Sequence, residues 1–368
     1  MQKDNRLYQL AENVLKNSVK LKKGEKIYIE AFGPAVLDLM EIFIRKATEL
    51  GGVPFYFYND EHLLKAVIDN ASEEQMKAFG ETYRQQMASS DVYVALRGYD
   101  DIFALSDVNE RQMALYMQHY YNPVHRSTRV PRTRWCVMRY PNQAMAALAK
   151  MSVEAFENFY FDACLVDYAK MCEAMTPLKE LMERTDKVRI IAPGTDLAFS
   201  IKGIPAIKCC GEVNIPDGEV YTAPVKNSIN GVVQFNTDTV YNGIFFSNVR
   251  LVFKDGRITE ASSLANNDKL QDILETDAGS RYMGEFAFGL NPGITHPILD
   301  ILFDEKIGGS FHMAIGNSSS VHWDLIQMQD AAHGGGEIYL DGILVRKDGR
   351  FVLPELEGLN PEKLKNEA

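Results

Sequence analysis

The stretch KIYIEAFGPAVLDLMEIFIRKATELGGVPFYFY, residues 26–58, contains a complete strand, helix and strand pattern. Its two ends, KIYIE and VPFYFY, are rich in β-branched and aromatic residues, which favour strands. Between them, apolar residues recur at helical spacing near residues 35–50, from just after Gly33-Pro34 to Gly51-Gly52. We therefore predict a βαβ unit whose helix packs on a parallel sheet.

The same alternation continues along the first half of the chain. A helical pattern near residues 73–89 is followed by DVYVAL (91–96), and RWCVMRY (134–140) precedes a long helical region from about 143 to 184. Strands that alternate with helices predict a largely parallel sheet. We expect residues 1–186 to form an α/β domain.

After Lys187 the helical periodicity fades and short strands joined by turns replace it. Asp-Gly pairs at 255–256, 341–342 and 348–349 have the composition of hairpin turns. We predict that residues 187–368 form an α+β domain with an antiparallel, barrel-like sheet. A chain of 368 residues is also longer than one hydrophobic core usually supports.

Composition and charge exclude several classes of protein. The chain is 46% hydrophobic and 24% charged, and its formal net charge is -11. Basic residues are scattered and no apolar run has membrane-spanning length, so we expect neither nucleic-acid nor membrane partners. Five cysteines without a CxxC spacing, and no apolar core of a signal peptide near the N-terminus, indicate free thiols in the cytoplasm.

Several common active-site motifs are absent from the sequence. It contains no GxGxxG after a strand, no GxxxxGK[ST], no GxSxG and no HExxH. The α/β pattern therefore predicts no nucleotide cofactor, and a fold pattern alone is weak support for a function.

Histidines are concentrated near the C-terminal end, where four of the seven lie between residues 296 and 333. In SVHWDLIQ, a strand would place His322 and Asp324 on one face, because side chains alternate along a strand. In GSFHMAIGNS, a strand would place His312 and Ala314 on one face. Neighbouring strands would then present an imidazole pair and a carboxylate together. We expect His296 and His333 to be ordinary loop residues.

Two glutamates, Glu219 and Glu285, lie in surroundings that do not suit an exposed charge. Glu219 follows the turn Pro216-Asp217-Gly218, and Glu285 precedes an apolar run. Bringing Glu219, Glu285 and Asp324 together would cost roughly 4 kcal/mol per pair at about 4 Å with an effective dielectric constant near 20.

Divalent metal ions would remove this repulsion, and carboxylates with imidazoles suit Zn, Co, Mn or Fe. Taken singly, each residue has an ordinary structural explanation. A lone HxD is commonly a hydrogen-bonded pair, and a PDGE turn is commonly only a turn. Spacing alone leaves both interpretations open.

The chain resembles the M29 aminopeptidases at these residues. NIPDGEVYTAP, GEFAFGLNPG, HMAIGNS and SVHWDLI occur in the order of that family's metal-binding segments, and GTDLAFSI (194–201) and residues 151–168 are also similar to it. The resemblance implies that two divalent ions, Zn, Co or Mn, are bound by five ligands: Glu219, Glu285, His312, His322 and Asp324. It further implies Glu219 and Glu285 as catalytic residues, short peptides with a free N-terminus as substrates, and a homodimer.

One departure from the family concerns a tyrosine. The family carries a functional tyrosine a few residues after the histidine that corresponds to His312, whereas this chain has AIGNSSS there. Tyr221 and Tyr282 are the candidates to replace it.

Three further alternatives remain open. The same fold family also resembles iron-dependent, ring-cleaving dioxygenases of hydroxypyridines, and in that case His312, His322 and Asp324 would hold a single Fe(II). A binding protein without catalysis is a second alternative. The aromatic segment MALYMQHYYNPVH (113–125) fits a dimer interface or, equally, a contact within one chain.

Overall fold

The computed structural model of the chain describes residues 4–99, 104–105, 107–316 and 321–365. The chain divides into two compact units, Met1–Phe161 with Gly211–Ile215, and Asp162–Cys210 with Pro216–Ala368. Helix Tyr168–Arg184 groups with the second unit in this division. The boundary at residue 187 therefore stays a prediction about independently folding domains.

The N-terminal unit is built on a parallel sheet with helices along the chain between its strands. Its strands are β1 Lys26–Phe32, β2 Val53–Asn59, β3 Val92–Arg97 and β4 Arg134–Arg139, together with the short strand Asn214–Ile215. They lie in the order β2, β1, β3, β4, Asn214–Ile215, and every pairing is parallel. The predicted largely parallel sheet is confirmed.

The helical segments of this region have the following bounds: α1 Asn5–Asn13, a π-helical turn Val14–Ser18, a 3-10 turn Pro34–Val36, α2 Leu37–Glu49, α3 Glu61–Asn70, α4 Glu73–Ala88, α5 Glu110–Tyr116, a π-helix Met117–Arg129, α6 Val130–Arg132, α7 Gln143–Leu148 and α8 Val153–Cys164. The division between the two units falls within α8.

The central strands are buried on both faces, and except for Glu30 of β1 their buried side chains are apolar or aromatic. Residues 27–31 of β1 and 92–96 of β3 are all buried, as expected for strands covered on both sides. Gly33 follows β1 with φ +81°, and a Cβ there would lie 2.4 Å from the carbonyl oxygen of Gly98, just after β3. The chain can pass this closely only with glycine.

The aromatic segment 113–125 packs inside the N-terminal unit. Tyr120 and Val124 are buried in one cluster with Met76 of α4. His125 is also buried. The contact within the chain therefore accounts for this segment, and the homodimer stays a prediction.

The C-terminal unit is dominated by antiparallel strands: β5 Lys187–Ala192, β6 Thr195–Ser200, β7 Ile207–Cys209, β9 Glu219–Thr222, β10 Asn230–Gln234, β11 Thr239–Tyr241, β12 Ile244–Phe246, β13 Arg250–Lys254, β14 Arg257–Ser262, β15 Met283–Gly289, β16 Ser310–Gly316, β17 His322–Met328, β18 Glu337–Leu340, β19 Ile343–Lys347 and β20 Arg350–Phe351, β8 being Asn214–Ile215 of the first unit. Its helical segments are α9 Tyr168–Arg184, α10 Asn267–Leu274, α11 Ile301–Asp304, Ala331–His333, Pro354–Leu359 and α12 Pro361–Leu364. The three predicted Asp-Gly hairpin turns are present and join β13 to β14, β18 to β19 and β19 to β20. The predicted α+β class with antiparallel pairing is confirmed.

Two sheets of this unit have five or more strands. One has eight strands in the order β14, β13, β10, β6, β5, β18, β19, β20. The other has five strands in the order β17, β16, β15, β9, β7, and it carries all five predicted ligands. In the described part of the chain, no helix is both long and apolar enough to cross a bilayer.

Candidate metal centre

Four adjacent strands of the five-stranded sheet each contribute to one cluster of side chains. β9 carries Glu219, β15 carries Glu285, β16 carries His312, and β17 carries His322 and Asp324. In an antiparallel sheet, directly paired residues project from the same face. The pairs Glu285↔Ala314, Ala314↔Asp324 and Gly289↔Glu219 therefore place the carboxylates on one face.

Small residues lie between these side chains on the same face of the sheet. Ala287 pairs with His312, Gly316 pairs with His322, and Ala314 lies between Glu285 and Asp324. Alanine and glycine leave the room above the sheet that larger side chains would occupy. The opposite face is packed, since Trp323 is 2% exposed and stacks on Tyr241 at a ring distance of 5.2 Å.

The imidazole of His312 is the centre of the cluster. Its Nε2 lies 3.3 Å from Glu219 Oε2, 3.3 Å from Glu285 Oε1 and 3.9 Å from Asp324 Oδ1. His322 Nε2 lies 3.4 Å from Asp324 Oδ2. The structure thus brings together all five residues that the sequence indicated.

Three buried atoms of the cluster have no hydrogen-bond partner among the described residues: Glu219 Oε2, Asp324 Oδ1 and His312 Nδ1. Buried polar atoms are normally satisfied, so each of these requires an explanation. Two are carboxylate oxygens, which are ligand atoms for a divalent cation. The donor set therefore fits a metal ion.

The pKa values in the cluster reflect burial and mutual repulsion. Burial raises the pKa of the Glu219 carboxyl above its ordinary value, against the attraction of Lys306, and Glu305 raises it further. Burial and Glu305 also raise the pKa of Asp324. Burial disfavours the charged form of His312, but Glu285, Glu219 and Asp324 outweigh it and raise the pKa of this imidazole. A bound divalent cation would favour the ionised forms of Glu219 and Asp324.

Ligand atoms fall into overlapping sets within 4.8 Å of one another. One set is Glu219, Glu285 and His312, and another is Glu285, His322 and Asp324. Glu285 belongs to both. A further set of Cys209, Asp217 and Glu219 is less suited to a metal, because burial raises the pKa of the Cys209 thiol and disfavours the thiolate.

Two charged residues of the cluster were not predicted from the sequence. Glu305 forms a set with His312 and Asp324, and Lys306 is fully buried with its ammonium 3.9 Å from Glu219 Oε1. Lys306 also pairs with Glu305. Burial disfavours the ammonium, but Glu305, Glu219 and Asp217 outweigh it and raise the pKa of Lys306. Both residues lie in FDEKIGG, where three charged residues come shortly before the buried strand β16. This contrast was the only sign in the sequence that the two residues belong to a site.

The other residues considered in the sequence are two histidines, His296 and His333, and two tyrosines, Tyr221 and Tyr282. His333 contacts Asp330 at 2.7 Å, and His296 contacts Thr295 at 3.1 Å, and neither belongs to a ligand set among the described residues. Tyr221 is half-buried two residues after Glu219, and its pKa is raised by burial and by Cys209. The ring of Tyr282 lies 4.6 Å from the Lys226 ammonium. Residues 317–320, which follow Gly316 where the family tyrosine would stand, lie outside the described residues.

A model of the thermophilic metalloprotease family (M29) matches residues 3–336. The chain belongs to this family. Its members are metal-dependent peptidases by that description, so the family confirms the resemblance seen in the sequence and implies a divalent metal cofactor.

Named relatives of this M29 chain are aminopeptidases. Aminopeptidase AmpS from Bacillus subtilis (strain 168) is 34% identical over 34% of this chain and 34% of its own length. Aminopeptidase T from Thermus aquaticus is 25% identical over 94% of this chain and 96% of its own length. The matched part thus spans about a third of AmpS but nearly all of aminopeptidase T.

Two solved structures share the whole fold. Wild-type AmpT from Thermus thermophilus has a TM-score of 0.77 at 20% identity and covers 95% of this chain and 99% of its own. The 2,5-dihydroxypyridine dioxygenase from Pseudomonas putida KT2440 has a TM-score of 0.61 at 13% identity, and the match covers 97% of this chain and 100% of the dioxygenase chain. At these identities the likeness establishes the fold alone.

Proposed function

We propose that this chain is an aminopeptidase that releases N-terminal residues from short peptides with the help of two divalent ions, Zn, Co or Mn. The observation that carries the proposal is the pair of ligand sets sharing Glu285. Glu219 and His312 complete one set, and His322 and Asp324 complete the other. Family membership supplies the reaction class.

The ions would be held by Glu219, Glu285, His312, His322 and Asp324, and Glu305 is a sixth candidate. Divalent ions in such a site lower the pKa of a bound water and polarise a carbonyl oxygen. Lys306 balances part of the negative charge, because its buried ammonium lies beside both Glu219 and Glu305. Without it, four carboxylates would share one small volume with two imidazoles.

Proton transfer would be the task of a glutamate. Glu219 and Glu285 both lie 3.3 Å from His312 Nε2, so each carboxylate is next to the proposed ligand atoms. A carboxylate at this position can accept a proton from the attacking water and return it to the leaving amine. The same carboxylates can hold the free ammonium of the substrate, which would make the enzyme an exopeptidase.

An iron dioxygenase is the second candidate function. A single Fe(II) held by two histidines and one carboxylate needs only His312, His322 and Asp324. Glu219 and Glu285 would then be superfluous, although both approach His312 as closely as any ligand. The similarity to the dioxygenase structure concerns the fold and does not favour this activity.

The decisive experiment uses protein purified without added metal and stripped with a chelator. Leucine p-nitroanilide should be cleaved after addition of Co, Zn or Mn, and N-acetyl-leucine p-nitroanilide should not be, because acetylation removes the amine. Glu285→Gln should abolish cleavage, whereas Glu260→Gln, an exposed carboxylate of the same unit, should not. Absence of cleavage with all three metals, together with Fe(II)-dependent oxygen uptake on a hydroxypyridine, would overturn the proposal.

A further inference from the structure

A cavity lies in the N-terminal unit, at the end of the parallel sheet where its strands finish. It has a volume of about 390 Å³, which is within the range of small-molecule sites. Four of its lining residues are the last residues of four adjacent strands: Phe32 of β1, Asn59 of β2, Arg97 of β3 and Arg139 of β4. The cavity thus opens at the carboxyl ends of the strands.

The order of the strands singles out this position. β2 lies on one side of β1 and β3 on the other, so the chain reverses direction across the sheet at β1. In open parallel sheets, ligands bind at the carboxyl ends of the strands where the order reverses. Gly33 and Gly98 follow β1 and β3 there and come into close contact.

Two arginines of the cavity, the buried Arg129 and the half-buried Arg97, have buried nitrogen atoms without acceptors among the described residues. Arg129 is 9% exposed, and its Nε and Nη1 are buried without a hydrogen-bond partner among the described residues, as is Nε of Arg97. Neither guanidinium forms an ion pair with a described carboxylate. Buried guanidinium groups are normally paired, so these donors are open to an acceptor that is not among the described residues.

Three carboxylates lie in or near the cavity, and each has contacts within the chain. Glu30 is fully buried and accepts hydrogen bonds from Tyr93 Oη at 2.5 Å and Asn59 Nδ2 at 2.6 Å. Asp60 caps α3 by accepting from the backbone N–H groups of His62 and Leu63. Glu61, the other acidic residue of the lining, also has contacts within the chain.

Aromatic rings form much of the wall. The lining includes Tyr93, Tyr99, Tyr116, Tyr120 and Tyr121. The Cζ of Arg129 lies 4.3 Å from the ring centroid of Trp135 and 5.1 Å from that of Tyr93, so both rings contact its guanidinium. Planar donors beside aromatic faces match a flat molecule that carries an oxyanion.

We propose that this cavity binds a small aromatic or similarly planar anion, whose carboxylate or phosphate accepts hydrogen bonds from Arg97 and Arg129 while its body packs among the tyrosines. The site shares no residue with the ligand set of the metal centre and does not depend on the proposed peptidase activity.

Calorimetry on the full chain tests the proposal, with benzoate, phenyl phosphate and inorganic phosphate as probes and benzamide as the uncharged comparison. Benzoate or phenyl phosphate should bind saturably and more tightly than benzamide. Arg97→Gln and Arg129→Gln should each weaken binding about tenfold or more, since each removes a charge-assisted hydrogen bond. The matched control is Arg132→Gln, an exposed arginine of the same unit, which should bind like the wild type.

Arg129 packs on Trp135, so Arg129→Lys provides a second variant that keeps the charge but loses the planar fork. It should also weaken binding while its thermal unfolding stays close to that of the wild type. The proposal is overturned if no probe anion binds up to about 10 mM, if benzamide binds as well as benzoate, or if Arg97→Gln binds like the wild type.

Discussion

At the scale of single residues, Asp324 and His322 test the metal centre most directly. Both side chains point to the cluster rather than into the apolar core, and Asp324 Oδ1 has no hydrogen-bond partner among the described residues. We expect Asp324→Asn and His322→Ala to lose bound metal while circular dichroism and thermal unfolding of the metal-free protein change little.

The number of metal ions bound per chain is measured by mass spectrometry after free ions have been removed. His333→Ala is the matched control, because His333 is a histidine of the same unit that contacts Asp330 outside the cluster. Full metal occupancy in either ligand variant would show that the histidine and aspartate of β17 are not ligands.

The set of five proposed ligands was expected from the family resemblance, because the sequence pattern marked these residues only as candidates and left an ordinary structural explanation open for each. His322 and Asp324 share a face by simple alternation, and Glu285 interrupts an apolar run. Glu305 and Lys306 could not be placed in the same way. They precede β16, and their approach to Glu219 depends on how the chain turns after α11, which no local pattern specifies.

His125 gives a prediction about pH. Burial, together with Arg129 and Arg97, lowers the pKa of this imidazole from its ordinary 6.5 to about 3. Between these values the unfolded chain binds more protons than the folded one, so the free energy of unfolding falls as the pH drops. His125→Gln should remove roughly 2 kcal/mol of this loss between pH 6.5 and pH 5.

Urea unfolding of the wild type and the variant across this pH range provides the measurement. His62→Gln, an exposed histidine of the same unit, should follow the wild-type pH dependence. Parallel curves for the wild type and His125→Gln would contradict a buried neutral imidazole.

At the scale of elements, the sequence predicted the regular βαβ pattern and missed several helices of the N-terminal unit. β1 to β4, α2 and α4 have strong periodicity and clear ends. The helices α3 and α5 and the π-helix Met117–Arg129 were not predicted. The π-helix contains Pro123, which argues against a helix locally, and it is stabilised by packing of its aromatic residues on α4.

Gly80 tests that packing. A Cβ at this position of α4 would lie 1.8 Å from the carbonyl oxygen of His119 in the π-helix. Gly80→Ala should therefore destabilise the protein by about 2 kcal/mol or more, although alanine is the better helix former by about 1 kcal/mol. Thermal or urea unfolding measures the change.

The control for this prediction is Thr82→Ala, an exposed position of the same helix. It should change the free energy of unfolding by no more than about 0.5 kcal/mol. A Gly80→Ala protein as stable as the wild type would show that α4 and the π-helix do not approach so closely.

At the scale of the whole molecule, a homodimer is expected from the family resemblance. The aromatic segment 113–125 does not support it, because Tyr120 and Val124 are buried within the N-terminal unit. We predict that light scattering at micromolar concentration will give twice the chain mass of 41.5 kDa. A monomer at that concentration would remove the dimer prediction and leave the metal centre untouched.

The number of metal ions per chain separates the two enzyme classes. Three carboxylates and two imidazoles provide enough charge and donors for two divalent ions, whereas a single iron needs two histidines and one carboxylate. We therefore expect two equivalents of metal per chain at saturation.

Because Glu285 belongs to both ligand sets, Glu285→Gln should weaken the binding of both ions, while Glu219→Gln should weaken the binding of one ion more than that of the other. Titration of the metal-free protein with Co, followed by its absorption spectrum, resolves the two steps. A single equivalent that survives both substitutions would contradict the two-metal site and favour a mononuclear centre at His312, His322 and Asp324.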